Sequence, residues 1–137
     1  MCDGGWEACR AHGNFTAMQL QGAVLFVRDL ERMAAFYRDV LGFAPIADER
    51  SDVWAPFDTG GTRLGLHAIP REMVCEGDTP SALRPREGGP IRLDFLVADV
   101  KREVERLESL GVTVLRKPWG ACHVVDPEGN VFGLSSV

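Results

Sequence analysis

The chain has 137 residues, of which 45% are hydrophobic and 26% charged, with a net charge of -5 and four cysteines. That length supports one domain with one core, and the acidic balance argues against a nucleic-acid partner. No run of about 18 apolar residues and no basic-then-apolar opening is present, so neither a membrane span nor a secretory leader is expected and the cytoplasm is the default compartment.

Residues 1–18 carry Gly, Cys and polar residues without periodicity and read as a disordered tail, with Met18 as a candidate start. Cys2, Cys9, Cys75 and Cys122 lie far apart, the pattern of free thiols, and Cys2, Cys9 and His12 lack the fourth ligand that a zinc finger needs. Residues 19–27 read as a strand that sends Gly22, Val24 and Phe26 to one face and Ala23, Leu25 and Val27 to the other. A helix follows at once. Asp29 caps it, Leu30, Met33, Ala34, Tyr37 and Leu41 form its apolar stripe, and Gly42 stops it. Three more strands are expected over 45–49, 52–57 and 62–69, with a tight hairpin at 58–61. Residues 71–90 are a Pro- and Gly-rich linker, either a functional loop or a plain crossover. Beyond it come a strand over 91–97 and a second helix capped by Asp99, with Val104, Leu107 and Leu110 inward, Lys101 and Glu105 as a solvated pair, and Gly111 as its stop. Strands over 112–116, 122–125 and 130–136 complete the chain, with Trp119 in the loop before the second of them.

The two halves repeat. Asp29 returns seventy residues later as Asp99, and Asp58, Gly61, Gly65 and Leu66 return sixty-eight later as Asp126, Gly129, Gly133 and Leu134. Two copies of one βαβββ unit therefore span 19–70 and 91–137, and each is too small to own a core, so they share one.

The segments Val27-Arg-Asp-Leu, Phe36-Tyr-Arg-Asp-Val-Leu-Gly-Phe43, Val97-Ala-Asp-Val, Leu110-Gly-Val and Asp126-Pro-Glu-Gly-Asn130 together resemble the vicinal oxygen chelate superfamily. Its members include glyoxalase I, extradiol dioxygenases, fosfomycin-resistance enzymes and bleomycin-resistance proteins. The resemblance implies an α+β fold of two βαβββ modules whose curled mixed sheets enclose a cleft, with the helices outside and usually in a homodimer. In metal-using members it also implies a His or Gln seven residues before the first capping Asp, a Glu on the last strand of module one, a His seven residues before the second capping Asp and a Glu near the end. Here those places hold Gly22, Gly65, Arg92 and Gly133. Three glycines and a cation offer no metal donors, so no metal and no cofactor are expected. A shifted site built from His67, His123, Asp94 or Cys122 is the alternative.

Strand parity turns Gly22, Gly65 and Gly133 toward the cleft, where they either leave a hollow for a ligand or serve bulges and curvature. The same parity lines the cleft with Val24, Phe26, Arg63, His67, Arg92, Asp94, Leu96, Val131 and Ser135, with His123 close by. Arg92 and Asp94, two apart on one face, pair with each other or meet a ligand. Trp54, Phe57 and Trp119 supply either stacking surfaces or core packing. The expected function is metal-free binding of a small amphipathic or aromatic compound, as in bleomycin resistance. An atypical glyoxalase- or dioxygenase-type enzyme and a structural dimer with a filled cleft are the alternatives.

Overall fold

Strand β1 (Gly22–Val27) ends where Val27, fully buried, hands the chain to helix α1 (Leu30–Ala35). The Asp29 carboxylate accepts the Arg32 N–H at 3.1 Å, and at the equivalent place Asp99 accepts the Arg102 N–H at 3.1 Å to open α2 (Val100–Ser109). These caps satisfy N–H groups that have no partner inside the helix. Both helical segments end at a glycine with positive φ, Gly42 at 79° and Gly111 at 81°, a conformation that strains any residue with a Cβ. The computed structural model describes residues 17–73 and 84–137. The expected tail up to residue 16, the Cys2, Cys9 and His12 set, Cys75 and the middle of the linker lie outside those residues.

The first helix departs from the expected regular stripe. Residues Phe36–Val40 form a π-turn, closed by the Leu41 N–H on the Phe36 carbonyl at 3.1 Å. Phe36 and Tyr37 are consecutive and both buried, and the wider turn lets neighbouring aromatic rings reach the core together.

In module one, β4 (Arg63–Ala68) lies parallel to β1 and antiparallel to β3 (Trp54–Asp58), which pairs with the short β2 (Ala44–Pro45), giving the order β1-β4-β3-β2. Module two repeats this with β5 (Leu93–Val97), β6 (Thr113–Arg116), β7 (Cys122–Val125) and β8 (Val131–Ser136) in the order β5-β8-β7-β6. The strand expected over 45–49 shrinks to two residues followed by a 3₁₀ turn at Ala47–Glu49, since Pro45 has no N–H to give a ladder.

One face of each sheet is covered by the common core. Leu64, Leu66, Ala55 and Phe57 meet Leu30, Met33 and Tyr37 from module one, and Val124, Phe132 and Leu107 join them from module two. A row of rings crosses the boundary, Tyr37 to Phe43 at 6.1 Å, Phe43 to Phe95 at 5.1 Å and Phe95 to Phe132 at 4.9 Å between centroids. Met33 is fully buried, and covering a side chain of that size contributes about 1.5–3 kcal/mol. The boundary is also fastened by polar atoms: the Glu128 carboxylate of the β7–β8 turn accepts the N–H of Arg28 at 2.8 Å and of Asp29 at 2.9 Å. No helix among the described residues is long and apolar enough to cross a membrane. The result is an α+β fold of two βαβββ modules that leaves the second face of each sheet uncovered.

Candidate ligand cleft

Register decides which side chains the uncovered faces carry. On sheet one, Val24 stands opposite Gly65 and Phe26 opposite His67, while His67 stands opposite Trp54. Phe26 and Val24 are 63% and 49% exposed. The Phe26, His67 and Trp54 rings form a row, with His67 5.6 Å from Phe26 and 6.1 Å from Trp54. The His67 Nδ1 lies 2.8 Å from the Ala68 carbonyl, which fits an Nδ1–H donor. Arg63 leans away from this row into an ion pair with Glu49.

Sheet two carries a polar set on the matching face. Asp94 stands opposite Gly133 and Leu96 opposite Ser135, and on the other side of β8 His123 stands opposite Gly133. The Ser135 hydroxyl donates to Asp94, and an Arg92 terminal N–H reaches His123 Nε2 at 3.1 Å. Arginine only donates, so Nε2 is the acceptor and the proton of the neutral ring sits on Nδ1. Burial holds the imidazole below its usual value of 6.5; the positive charges of Arg92 and Lys117 push the same way, against Glu87 and Asp94. A cleft of about 270 Å³ opens over this set, walled by Ile91, Arg92, Trp119, His123 and Val131. Its remaining wall is Arg86, Glu87 and Lys117, with Lys117 paired to Glu87.

Arg92, Trp119, His123 and Val131 are thus brought to one cleft, and Asp94, Gly133 and Ser135 adjoin it. Val24, Phe26, Trp54, Arg63, Gly65 and His67 stand apart from it on sheet one, and Leu96 is 69% exposed on β5. Two expectations need correction. The inward glycines do not leave a hollow: a Cβ at Gly22 would strike the Arg63 backbone, one at Gly65 the Trp54 indole, and one at Gly133 the Asp94 carboxylate. Each glycine accommodates a close neighbour. Phe57 does not face the cleft, because it stands opposite Leu64 on the core side and is 2% exposed. Of the two readings of Arg92 and Asp94, pairing with one another is present as a long ion pair at 4.0 Å, while Arg92 also donates to His123 and Asp94 accepts from Ser135.

Arg86, Glu87, Ile91 and Lys117 were not legible as lining. Strand parity could not reach Arg86 and Glu87, toward which only the possibility of a functional linker pointed, and it turned Ile91, at the start of the expected strand, to the face opposite Arg92. In the structure Arg86 forms a bridge with Asn130 beside the start of β8, its backbone N–H meeting the Gly129 carbonyl at 2.9 Å. The signal for Lys117 was its place next to Trp119 in one loop.

A metal centre does not fit these residues. Gly22, Gly65 and Gly133 present no donor atoms, and the Arg92 guanidinium lies so near β8 that its Nε would be 3.4 Å from a Cβ at Gly133. A fixed cation there repels a second one. Among the described residues no three His, Cys, Asp or Glu side chains converge.

Comparison with known proteins agrees with the architecture. Residues 22–135 match the glyoxalase-like domain family. YraH of Bacillus subtilis (strain 168), an uncharacterized protein, is 31% identical over 126 residues, 85% of this chain and 97% of that one. A glyoxalase/bleomycin resistance protein/dioxygenase family enzyme from Burkholderia phytofirmans PsJN superposes with a TM-score of 0.65 at 26% identity, covering 88% of this chain and 99% of that one. TnmS3, an antibiotic binding protein from Streptomyces sp. CB03234, does so with a TM-score of 0.62 at 27% identity, covering 88% and 97%. With the two repeated modules, their shared core and these matches, the chain belongs to the glyoxalase-like domain family of the vicinal oxygen chelate superfamily.

Proposed function

We propose that the protein is a metal-free small-molecule-binding protein of the cytoplasm that sequesters or carries a compact amphipathic or aromatic compound. One observation carries the reading: Arg92 and three glycines stand where the resemblance to metal-using members would put the ligands, and the guanidinium donates to a neutral imidazole in the wall of a cleft. Apolar walls with a few placed polar groups suit ligand capture. The similarity to an antibiotic binding protein supports an antibiotic-like compound, and so a protective role. The protein works as a homodimer in this reading, because Phe26 and Leu96 expose apolar surface beside β1 and β5, strands that each lie at the edge of a sheet.

The test joins two measurements on protein purified without chelator. Elemental analysis is expected to find no stoichiometric divalent metal, and a thermal-shift screen of planar amphipathic compounds is expected to find stabilising ligands. One tightly held Zn, Fe, Mn or Ni per chain overturns the proposal.

A further inference from the structure

We propose that the cleft over β5 and β8 selects an organic carboxylate on a flat apolar body, with the Arg92 guanidinium as its anchor. This deepens the ligand-binding reading and rests on it. The first argument is charge. The chain as a whole carries -5, yet the cleft wall holds Arg86, Arg92 and Lys117 against Glu87, with the Asp94 carboxylate 4.0 Å from Arg92 beside it, so positive charge is in excess. A concave site with an excess of one sign concentrates ions of the other, so the local field favours an anion that the protein's net charge would repel.

The second argument is which cation has capacity to spare. Lys117 is tied to Glu87, and Arg86 donates to the Asn130 side chain at 2.7 Å and the Glu128 carbonyl at 3.3 Å. Arg92 is held differently. Its close partner is the uncharged His123 at 3.1 Å, its nearest carboxylate is 4.0 Å away and already receives the Ser135 hydroxyl, and its side chain is 54% exposed. A guanidinium has five donors in a flat fork, so one bond to imidazole orients it and leaves a pair for a carboxylate. The low proton affinity of His123 keeps the acceptor available at neutral pH.

The third argument is shape and sign together. At about 270 Å³ the cleft lies near the lower end of ligand sites, which run from about 300 Å³, so the occupant is small. Trp119, Ile91 and Val131 supply flat and branched apolar surface beside the charge. Glu87 and Asp94 stand close enough to disfavour a dianion, which selects a monocarboxylate over a phosphate monoester.

The probes are 1-naphthoate and its uncharged counterpart 1-naphthalenemethanol, titrated by calorimetry into the full chain, into Arg92→Gln and into Arg92→Lys. Arg92 is exposed, so the variants are expected to fold, and equal melting temperatures check this. Wild type is expected to bind naphthoate on the order of tenfold tighter than the alcohol, with the preference shrinking as salt rises. Arg92→Gln is expected to erase that preference by weakening naphthoate binding far more than alcohol binding, and Arg92→Lys to restore part of it through charge without the fork. Equal affinity for the two probes, or undiminished naphthoate binding by Arg92→Gln, overturns the anion assignment and leaves the ligand-binding reading standing. Absence of binding by both probes also overturns it; the ligand-binding reading is judged separately, by metal content and the wider compound screen.

Discussion

Tyr37 Oη donates a hydrogen bond to Asp126 Oδ2 at 2.9 Å, joining residues eighty-nine positions apart, one from each module, inside the core. The same carboxylate accepts the Glu128 and Asn130 N–H groups at 2.9 Å and the Asn130 side-chain amide at 2.7 Å, so a buried charge is fully satisfied. Burial raises the Tyr37 hydroxyl well above its ordinary pKa, and the Asp126 charge and hydrogen bond act in the same direction, so the phenol stays a donor. Tyr37→Phe removes one charge-assisted hydrogen bond and is expected to cost about 1.5–3 kcal/mol in urea unfolding, with ligand binding intact. A cost near zero would mean that the modules are held by apolar packing alone.

The glycines of sheet one rank by what stands over them. At Gly22 the obstacle is the Arg63 backbone, which cannot move without breaking the β1–β4 ladder; at Gly65 it is the end of the Trp54 side chain, which can swing. Gly22→Ala is therefore expected to destabilise by about 1–3 kcal/mol or more, and Gly65→Ala by less. Combining Gly65→Ala with Trp54→Ala is expected to remove the clash, with a coupling of about 0.5–3 kcal/mol in a double-mutant cycle. Strict additivity of the two changes would contradict the contact.

Acid is expected to weaken the fold through His123. Because the folded state holds this imidazole below its ordinary value, the unfolded chain takes up the proton first as pH falls. The contribution of the neutral ring is complete above the unfolded value and is lost as pH falls through about 6.5 toward the folded one. Wild type should thus lose more stability than His123→Gln between about pH 7.5 and 5.5, measured by chemical denaturation. Arg92, Lys117, Glu87 and Asp94, the charged groups around the ring, stay in place in both proteins, so their own titration is shared. Parallel pH profiles would assign the acid sensitivity elsewhere.

Light scattering at micromolar concentration is expected to report about 30 kDa, twice the 15.0 kDa chain. Phe26→Glu, at the exposed face of edge strand β1, is expected to shift the population toward monomer without lowering core stability. A wild-type species of 15.0 kDa at all concentrations counts against the pairing of two copies.

Features that depend on near neighbours in sequence were the legible ones. The caps at Asp29 and Asp99, the stops at Gly42 and Gly111 and the alternation along β1 and β5 follow from local geometry, and the repeated spacing carried the topology. The wrong inference came from treating a missing side chain as empty space. Whether Gly65 faces a void or an indole depends on the rotamer of Trp54, which lies on the neighbouring strand two positions before Pro56, the residue opposite Gly65. Phe57 was misplaced because its facing follows from pairing with Leu64, a register the sequence alone left open. The Arg92–His123 bond joins the residue just before β5 to β7 across β8, and only the assembled sheet brings them together.

Both hairpin turns keep the same internal bond, an Asp carboxylate accepting the N–H two residues on: Asp58 from Gly60 at 2.8 Å, Asp126 from Glu128 at 2.9 Å. Only the second of those partners has a carboxylate to send across the boundary to Arg28 and Asp29. The duplicated halves are therefore no longer equivalent parts. A gene fusing two first modules would encode no acid for this fastening, and one fusing two second modules would encode two. The repeat thus carries a one-way dependence, in which the helix entry of the earlier half relies on the later half.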